Sequence, residues 1–341
     1  MSEVVTVLMP VFNAANYIRE SIESILSQTY KDFIFFIIDD GSTDETPEII
    51  KSYADPRIIF QINPFNKGYI YCLNLGIERI DSKYIVRMDA DDISLPDRLG
   101  KQVSFMETNP DVVVCGSGKI NFLDGHPETE TKVFNITDST DLLFSSIFNT
   151  SIPHPSAIIR NSILKDHKIV YNEEYYYAED KAMWLDLSKF GKLANHPDYL
   201  IKYRLHQNQV STTKHTIQRR NSLAKTRLVL LDYGVQLQEE DLLPLQYICY
   251  PQCCNSLEEL GDIERLILKF IETFKYHDGF QRKFVESFLL NRILTNVTWS
   301  TPIGLEIMGF INSSKYLKWE MFDTKFFLKS LLRRKTRGLF P

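Results

Sequence analysis

No apolar run in the 341 residues approaches the roughly 20 that span a bilayer, and Met1-Ser2-Glu3 meets the first apolar segment without a basic stretch before it. These absences point to a cytoplasmic protein. A basic surplus is also missing, since 39 Lys and Arg face 44 Asp and Glu for a formal net charge of −5. That balance argues against a general nucleic-acid binder, because neutralising phosphates needs a basic face. Cysteines are few and odd in number: Cys72, Cys115, Cys249, Cys253 and Cys254. In this context they are expected to be reduced thiols. The last three lack a second Cys-x-x-Cys or paired histidines, so buried helix positions fit them better than zinc ligands. Asn296-Val297-Thr298 matches a glycosylation sequon, but no export signal accompanies it. Low-complexity tracts are absent too, so the whole chain should fold.

The length exceeds what one core usually serves, which predicts a large domain and an appendage. Short β-branched runs alternate with helical patterns through the first half, as in a sheet with crossover helices. A strand is predicted over residues 4–9, stopping at Pro10, followed by a helix with Ile18, Ile22 and Ile25 on one face. The strand at residues 33–38 ends in Asp39-Asp40-Gly41-Ser42, where Ser42 and Glu45 have capping-box spacing and Pro47 lies in the opening turn of a helix. A strand near 57–62 precedes Gly68 and a helix whose stripe is Tyr69, Leu73, Ile77 and Ile80. The strand at 84–88 runs into Asp89-Ala90-Asp91-Asp92, and a helix with Leu99, Val103 and Met106 opens after Pro96. Further strands are read near 111–115, 156–159 and 199–203, with a helix near 179–190. Helical periodicity takes over after about His215, so the domains are placed at residues 1–214 and 215–341.

Acidic residues therefore gather at strand ends, where ligands of open α/β sheets sit. Three carboxylates in Asp89-Ala90-Asp91-Asp92 repel one another unless a cation or donor groups lie among them. Magnesium or manganese, which takes carboxylate and phosphate oxygens, fits the cluster. So does a solvated turn that caps a helix. Spacing alone leaves both open.

Four segments in order narrow the choice: Pro10-Val11-Phe12-Asn13, Asp39-Asp40-Gly41-Ser42-Thr43-Asp44, Asn66-Lys67-Gly68 and Asp89-Ala90-Asp91-Asp92. With them the sequence resembles the family 2 glycosyltransferases, over roughly residues 4–211. The resemblance implies a GT-A fold, a Rossmann-like mixed α/β sheet flanked by helices, here followed by a mostly α-helical C-terminal region. It implies an inverting hexosyltransferase of the bacterial cell-surface polysaccharide type. Such an enzyme takes a nucleotide diphosphate sugar, commonly a UDP-sugar, to a saccharide or lipid-linked saccharide acceptor with a divalent metal, manganese or magnesium.

The same resemblance distributes roles. Pro10, Phe12, Asn13 and Asp40 look like the pocket for the nucleotide base, with Asp39 supporting it and Lys67 near the nucleotide. Asp89 is similar to the residue that contacts ribose, Asp91 to the metal-binding carboxylate, and Asp92 to a group supporting the loop or the acceptor side. Glu179-Asp180 resembles the family's Glu-Asp motif, with Asp180 as general base and Glu179 its acceptor-side neighbour. Inversion needs one such carboxylate opposite the leaving group. Tyr203-Arg204-Leu205-His206, with Gln209 and Ser211, is similar to the segment that closes over the diphosphate. There Arg204 would meet phosphate and His206 phosphate or metal. His154, in Ile152-Pro153-His154-Pro155-Ser156, lies where relatives carry a His-Pro segment beside substrate, although two prolines also make a structural turn. Trp184 reads as helix packing.

Residues 315–337 carry Lys315, Lys318, Lys325, Lys329, Arg333, Arg334, Lys335 and Arg337 among Phe322, Phe326, Phe327, Leu328, Leu331 and Leu332. A basic amphipathic helix of this kind can lie on the inner face of the cell membrane, beside a lipid-linked acceptor, or pack on its own domain. Three other functions fit the residues less well. A metal-dependent phosphatase of the haloacid dehalogenase type carries its Asp-x-Asp after the first strand, not the fourth. A nucleotidyltransferase wants a Gly-rich loop after the first strand, which Pro10-Val11-Phe12-Asn13 lacks. A non-catalytic carbohydrate-binding scaffold would not need the acidic loop and Asp180 together.

Overall fold

Strand β1 (Val5–Val11) is buried along its whole length and forms the centre of a sheet built outward from both its edges. The computed structural model describes residues 4–133, 135–207, 209, 213–300, 306–314 and 317. They divide into two units, residues 1–146 with 150–225, and residues 147–149 with 226–341.

In the first unit β1 pairs in parallel with β2 (Phe33–Asp39) on one side and β4 (Tyr84–Arg87) on the other, while β3 (Ile58–Ile62) adds to β2. The crossovers are α1 (Ile18–Leu26), α2 (Thr46–Lys51) and α3 (Tyr69–Arg79). Both faces of β1 are covered. Val5, Val7, Met9 and Val11 pack with Ile18, Ile22 and Ile25 of α1, and Leu8 packs on the other face with Ile70, Leu73 and Ile77 of α3. This explains why the strands read as unbroken apolar runs instead of alternating ones.

The sheet then turns mixed. After β5 (Ile93–Ser94) and α4 (Arg98–Thr108) come β6 (Val112–Leu123) and β7 (His126–Lys132), then α5 (Ser139–Phe148), β8 (Ile158–Arg160), α6 (Asn161–His167), α7 (Glu179–Leu187) and β9 (Lys192–Leu205). The order is β3-β2-β1-β4-β8-β6-β9-β5, with β7 on β6; β8 runs antiparallel to β4 and β6, and β6 runs parallel to β9.

Two local expectations are corrected. The first strand does not stop at Pro10 but continues to Val11. The Leu8 carbonyl faces β4, accepting from Met88 N, whereas that of Val11 faces β2, accepting from Asp40 N. Pro10 therefore points its missing N–H toward the side where β4 has already ended, and no ladder bond is lost. The Ser42–Glu45 capping box does not form. Glu45 itself precedes α2, and the Ser42 hydroxyl donates to Asp39 Oδ1 at 2.5 Å while accepting from Asn13 N at 2.8 Å.

The second unit is helical, with Leu242–Cys249, Leu257–Phe274, Arg282–Trp299 and Glu306–Ser313. Leu260, Ile263, Ile267, Phe270, Ile271 and Phe274 are its buried stripe, and buried Asp241 pairs with Arg265 at 2.9 Å and Lys269 at 3.1 Å. The units divide between Lys225 and Thr226, inside the helix His215–Asp232 and not at its start. Cys249 and Cys254 are buried thiols, and Cys253 is exposed. Asn296 of the sequon is buried, bonded to Gln252 N and the Tyr247 carbonyl. Among the described residues no helix is long and apolar enough to cross a membrane.

Candidate active site

The ends of β4 and β9 bring together the acidic loop and the segment read as its cover. β4 ends at Arg87, and the next five residues carry Asp89, Asp91 and Asp92, whose ligand atoms lie within 4.8 Å of one another. His206 follows β9 and places Nε2 2.9 Å from Asp91 Oδ2. Asp92 is buried; its Oδ1 accepts from Arg204 N at 2.9 Å, and its Oδ2 has no partner. Burial, then the charges of Asp91 and Asp89, raise its pKa well above the usual carboxylate range. Asp89 pairs with the buried Arg87 guanidinium, and burial raises its pKa in spite of that pair.

Arg204 is engaged within the protein. Its Nε donates to the Asp91 carbonyl at 2.8 Å, Nη1 to Asp124 at 2.9 Å and Nη2 to Glu20 at 2.5 Å. Asp124 is positioned by the Asp124-Gly125 turn between β6 and β7, where Gly125 takes φ +73°, a conformation glycine adopts without cost. Tyr17 completes the wall, its ring centroid 4.9 Å from that of His206. Gln209 donates to the Arg204 carbonyl, and Ser211 lies outside the described residues.

A second cluster forms at the head of α7. Glu179 is buried, accepts from Tyr69 Oη at 2.6 Å and has Oε1 3.6 Å from His154 Nδ1. His154 Nε2 in turn meets Tyr171 Oη at 2.9 Å. Burial holds the His154 pKa well below its ordinary value, aided by the Arg87 charge, so the ring is neutral. Glu179 is pushed up to about 8 by burial and by Asp180. Asp180, whose Oδ1 accepts from Lys181 N at 2.6 Å, is pushed up to about 6 by burial. The Arg87 charge acts on Asp89, Glu179 and Asp180 together, which ties the acidic loop to the head of α7. Trp184 is buried and donates to the Ile152 carbonyl at 3.2 Å, a packing position.

The remaining predicted residues form a third group around the ends of β1 and β2. Asn13, at φ +49°, accepts from Thr43 N at 2.8 Å, so the two loops are laced together. Pro10 is buried and Phe12 is exposed. Asp40 is buried and accepts from Asn63 Nδ2, Lys67 N and Gly68 N at 2.8–3.0 Å, an inward role in holding the 66–68 loop. The Lys67 ammonium is exposed and meets Tyr71 Oη at 3.1 Å.

The model of the family described as glycosyl transferase family 2 matches residues 6–167. An uncharacterized glycosyltransferase of Haemophilus influenzae is 37% identical over 221 residues, covering 61% of this chain and 67% of that protein. One from Methanocaldococcus jannaschii is 34% identical over 210 residues, covering 59% and 70%. The chain belongs to glycosyl transferase family 2. Two solved members of the same fold support the architecture: Staphylococcus aureus TarS 1–349 in complex with UDP-GlcNAc, at TM-score 0.55 and 16% identity over 91% of this chain and 92% of that one, and the mannosyltransferase PcManGT of Pyrobaculum calidifontis with GDP-Man and Mn2+, at 0.51 and 14% over 99% and 88%. The GT-A fold and glycosyltransferase activity expected from the sequence thus stand.

Within this family 2 site several residues escaped sequence reading. Arg87 was visible beside the acidic loop, but its burial between two carboxylate clusters is a tertiary fact. Tyr69 looked like helix stripe and is a ligand of Glu179. Arg98, fully buried on α4, donates to the Arg87 carbonyl at 2.8 Å and to Gln102 Oε1 at 3.0 Å beneath the loop. Burial lowers its pKa to about 9. Its only sequence signal was a charge at an apolar-stripe spacing.

Proposed function

We propose that the chain is an inverting transferase that moves a sugar from a nucleotide diphosphate sugar, a UDP-sugar above all, to a saccharide or lipid-linked saccharide acceptor in surface polysaccharide synthesis. The observation that carries this reading is the pairing of two unlike carboxylate sites. One is an acidic loop with Asp91 against His206; the other is Asp180 at the head of α7, with a pKa of about 6.

Asp180 is the general base. At neutral pH it is ionised yet basic enough to take the proton of an acceptor hydroxyl as that oxygen attacks the sugar carbon. Glu179, near 8, stays protonated at pH 7 and is held by Tyr69, so it adds no second charge beside the base. His154, itself buried, supports Glu179 from behind, and Glu179 faces the acceptor side through its neighbour. Asp89 is fixed by Arg87 for the ribose. Phe12 offers the exposed apolar surface for the base, while Pro10, Asn13 and Asp40 shape that pocket and Lys67 lies at its rim. Arg204 clamps the acidic loop through Asp91 and Asp92, so we assign it to positioning instead of to direct phosphate contact.

The acidic loop fits a hard divalent cation, manganese or magnesium: Asp92 Oδ2 is buried without a partner among the described residues, and a cation would give it one. Asp91 and His206 would hold the ion, with Asp92 beneath them. When bound, it supplies positive charge that neutralises the diphosphate leaving group. Of the basic tail, residues 315–337, all but Leu317 lie outside the described residues, and its composition supports peripheral contact with an anionic membrane. Flotation with anionic liposomes should be lost when the chain ends before Lys315.

The test of the main reading is calorimetric binding and turnover of UDP- and GDP-sugars with manganese or magnesium, on wild type, Asp91→Ala and Asp180→Asn. Asp91→Ala should lose metal-dependent binding. Asp180→Asn should bind and not turn over. If no nucleotide sugar binds with or without metal, the donor assignment fails and a carbohydrate-binding scaffold becomes the better account.

A further inference from the structure

Two polar side chains on one face of β6, Lys119 and Asn121, make no side-chain hydrogen bond among the described residues. The parallel register sets Lys119 beside Ile201 and Asn121 beside Tyr203, so all four stand on the same face of the β6–β9 pair. The Lys119 ammonium lies 3.8 Å from the Tyr203 ring centroid and makes no hydrogen bond or ion pair among the described residues. Asn121 Oδ1 is buried with no hydrogen-bond partner. Leaving such groups unmatched costs stability, and they persist where a ligand completes them.

The strand they occupy borders the site. α7, which carries Asp180, packs against β6, and Asp92 is bonded to Arg204, the neighbour of Tyr203. The charge of Lys119 is disfavoured by burial and supported by Asp92 and Asp180. A displacement with inversion puts the leaving diphosphate and the base on opposite faces of the transferred carbon. A group within reach of both therefore borders the transferred sugar itself. The surrounding carboxylates repel an anion, which leaves a neutral polyol as the fitting ligand.

We propose that Lys119 and Asn121 form the subsite for the transferred sugar of the donor, the ammonium donating to a sugar oxygen and Asn121 Oδ1 accepting from a sugar hydroxyl. This rests on the reading of the chain as a nucleotide-sugar transferase. Titrations of the full chain with UDP and GDP, and with UDP-glucose, UDP-galactose, UDP-N-acetylglucosamine and GDP-mannose, in manganese, would compare wild type with Lys119→Met, Lys119→Arg and Asn121→Ala. For the nucleotide sugar that wild type binds, Lys119→Met should raise Kd about tenfold, the size expected for one charge-assisted hydrogen bond. Lys119→Arg should recover part of that loss, and the Kd of the bare nucleoside diphosphate should not move. A shift shared equally by nucleotide and nucleotide sugar, or no shift in either, overturns the subsite and leaves the transferase reading intact. Failure of wild type to bind any of the six overturns that reading, and the subsite with it. Should Lys119→Met not fold, as judged by its melting curve, Lys119→Arg and Asn121→Ala carry the same comparison.

Discussion

Acidification should switch the enzyme off through Asp180 and not through Glu179. The base must be ionised to accept a proton, and its pKa is about 6 because burial outweighs the Lys181 N–H bond and the Arg87 charge. With that value the ionised fraction falls from about nine tenths at pH 7 to about one tenth at pH 5, so kcat/KM should drop about tenfold across that interval. Glu179, at about 8, is already protonated over the whole range and contributes nothing to this limb. The two carboxyls interact, so the limb belongs formally to the pair. A second variant separates them. Glu179→Gln keeps a group that Tyr69 Oη can bond and should leave the limb near pH 6, with reduced but measurable turnover. The assay is donor hydrolysis or transfer measured as kcat/KM from pH 5 to 9 at saturating manganese, since this parameter reports the free enzyme. A profile flat down to pH 5, or a limb that moves to near pH 4 in Glu179→Gln, would refute the assignment.

Four further outcomes follow from the same contacts. Tyr69→Phe removes the 2.6 Å bond to Glu179 and the 3.0 Å bond from Tyr177 N, both in a half-buried setting, and should cost about 1–3 kcal/mol in urea denaturation. Glu179→Gln should gain stability relative to wild type as pH rises. The folded pKa of Glu179 is raised from 4.5 to about 8, so its contribution is full below 4.5 and lost as pH climbs through 8. His154 has the opposite sign: its pKa is depressed below 6.5, so wild type loses stability as pH falls below 6.5, and His154→Gln should flatten the urea midpoint between pH 5 and 7. Gly41→Ala should destabilise by at least about 1–2 kcal/mol, because Gly41 sits at φ +74° and a Cβ there would lie 2.7 Å from the Phe65 backbone. A thermal melt of each variant at matched pH checks these directions.

What the chain order revealed, and what it hid, divides along a physical line. Strands such as β1 and β2 were legible because burial on both faces demands continuous Val, Ile and Phe, and the acidic loop was legible because four charged or polar turns recur after successive strands. Lengths were not. β9 takes in residues 192–198 ahead of the segment read as a strand, where Asn195, His196, Pro197 and Asp198 break the apolar pattern, and β6 runs eight residues past its segment, where Lys119 and Asn121 interrupt it. Those interruptions are where the sheet leaves its hydrophobic core and forms the wall of the site, so the loss of periodicity was itself the signal. Short β5 was hidden for a different reason: two residues are too few for a period, and only pairing with β9 makes them a strand. The roles of charged residues were the least readable. Asp40 and Arg204 both matched a family pattern of substrate contact, yet each meets three or more groups within the protein, while Lys119 carried no motif and makes no hydrogen bond or ion pair among the described residues, meeting only a tyrosine ring there. Sequence places a charge at a strand end. Which charges are already satisfied, and so unavailable to a ligand, is decided by neighbours more than a hundred residues away, as Arg204 and Asp91 are from one another.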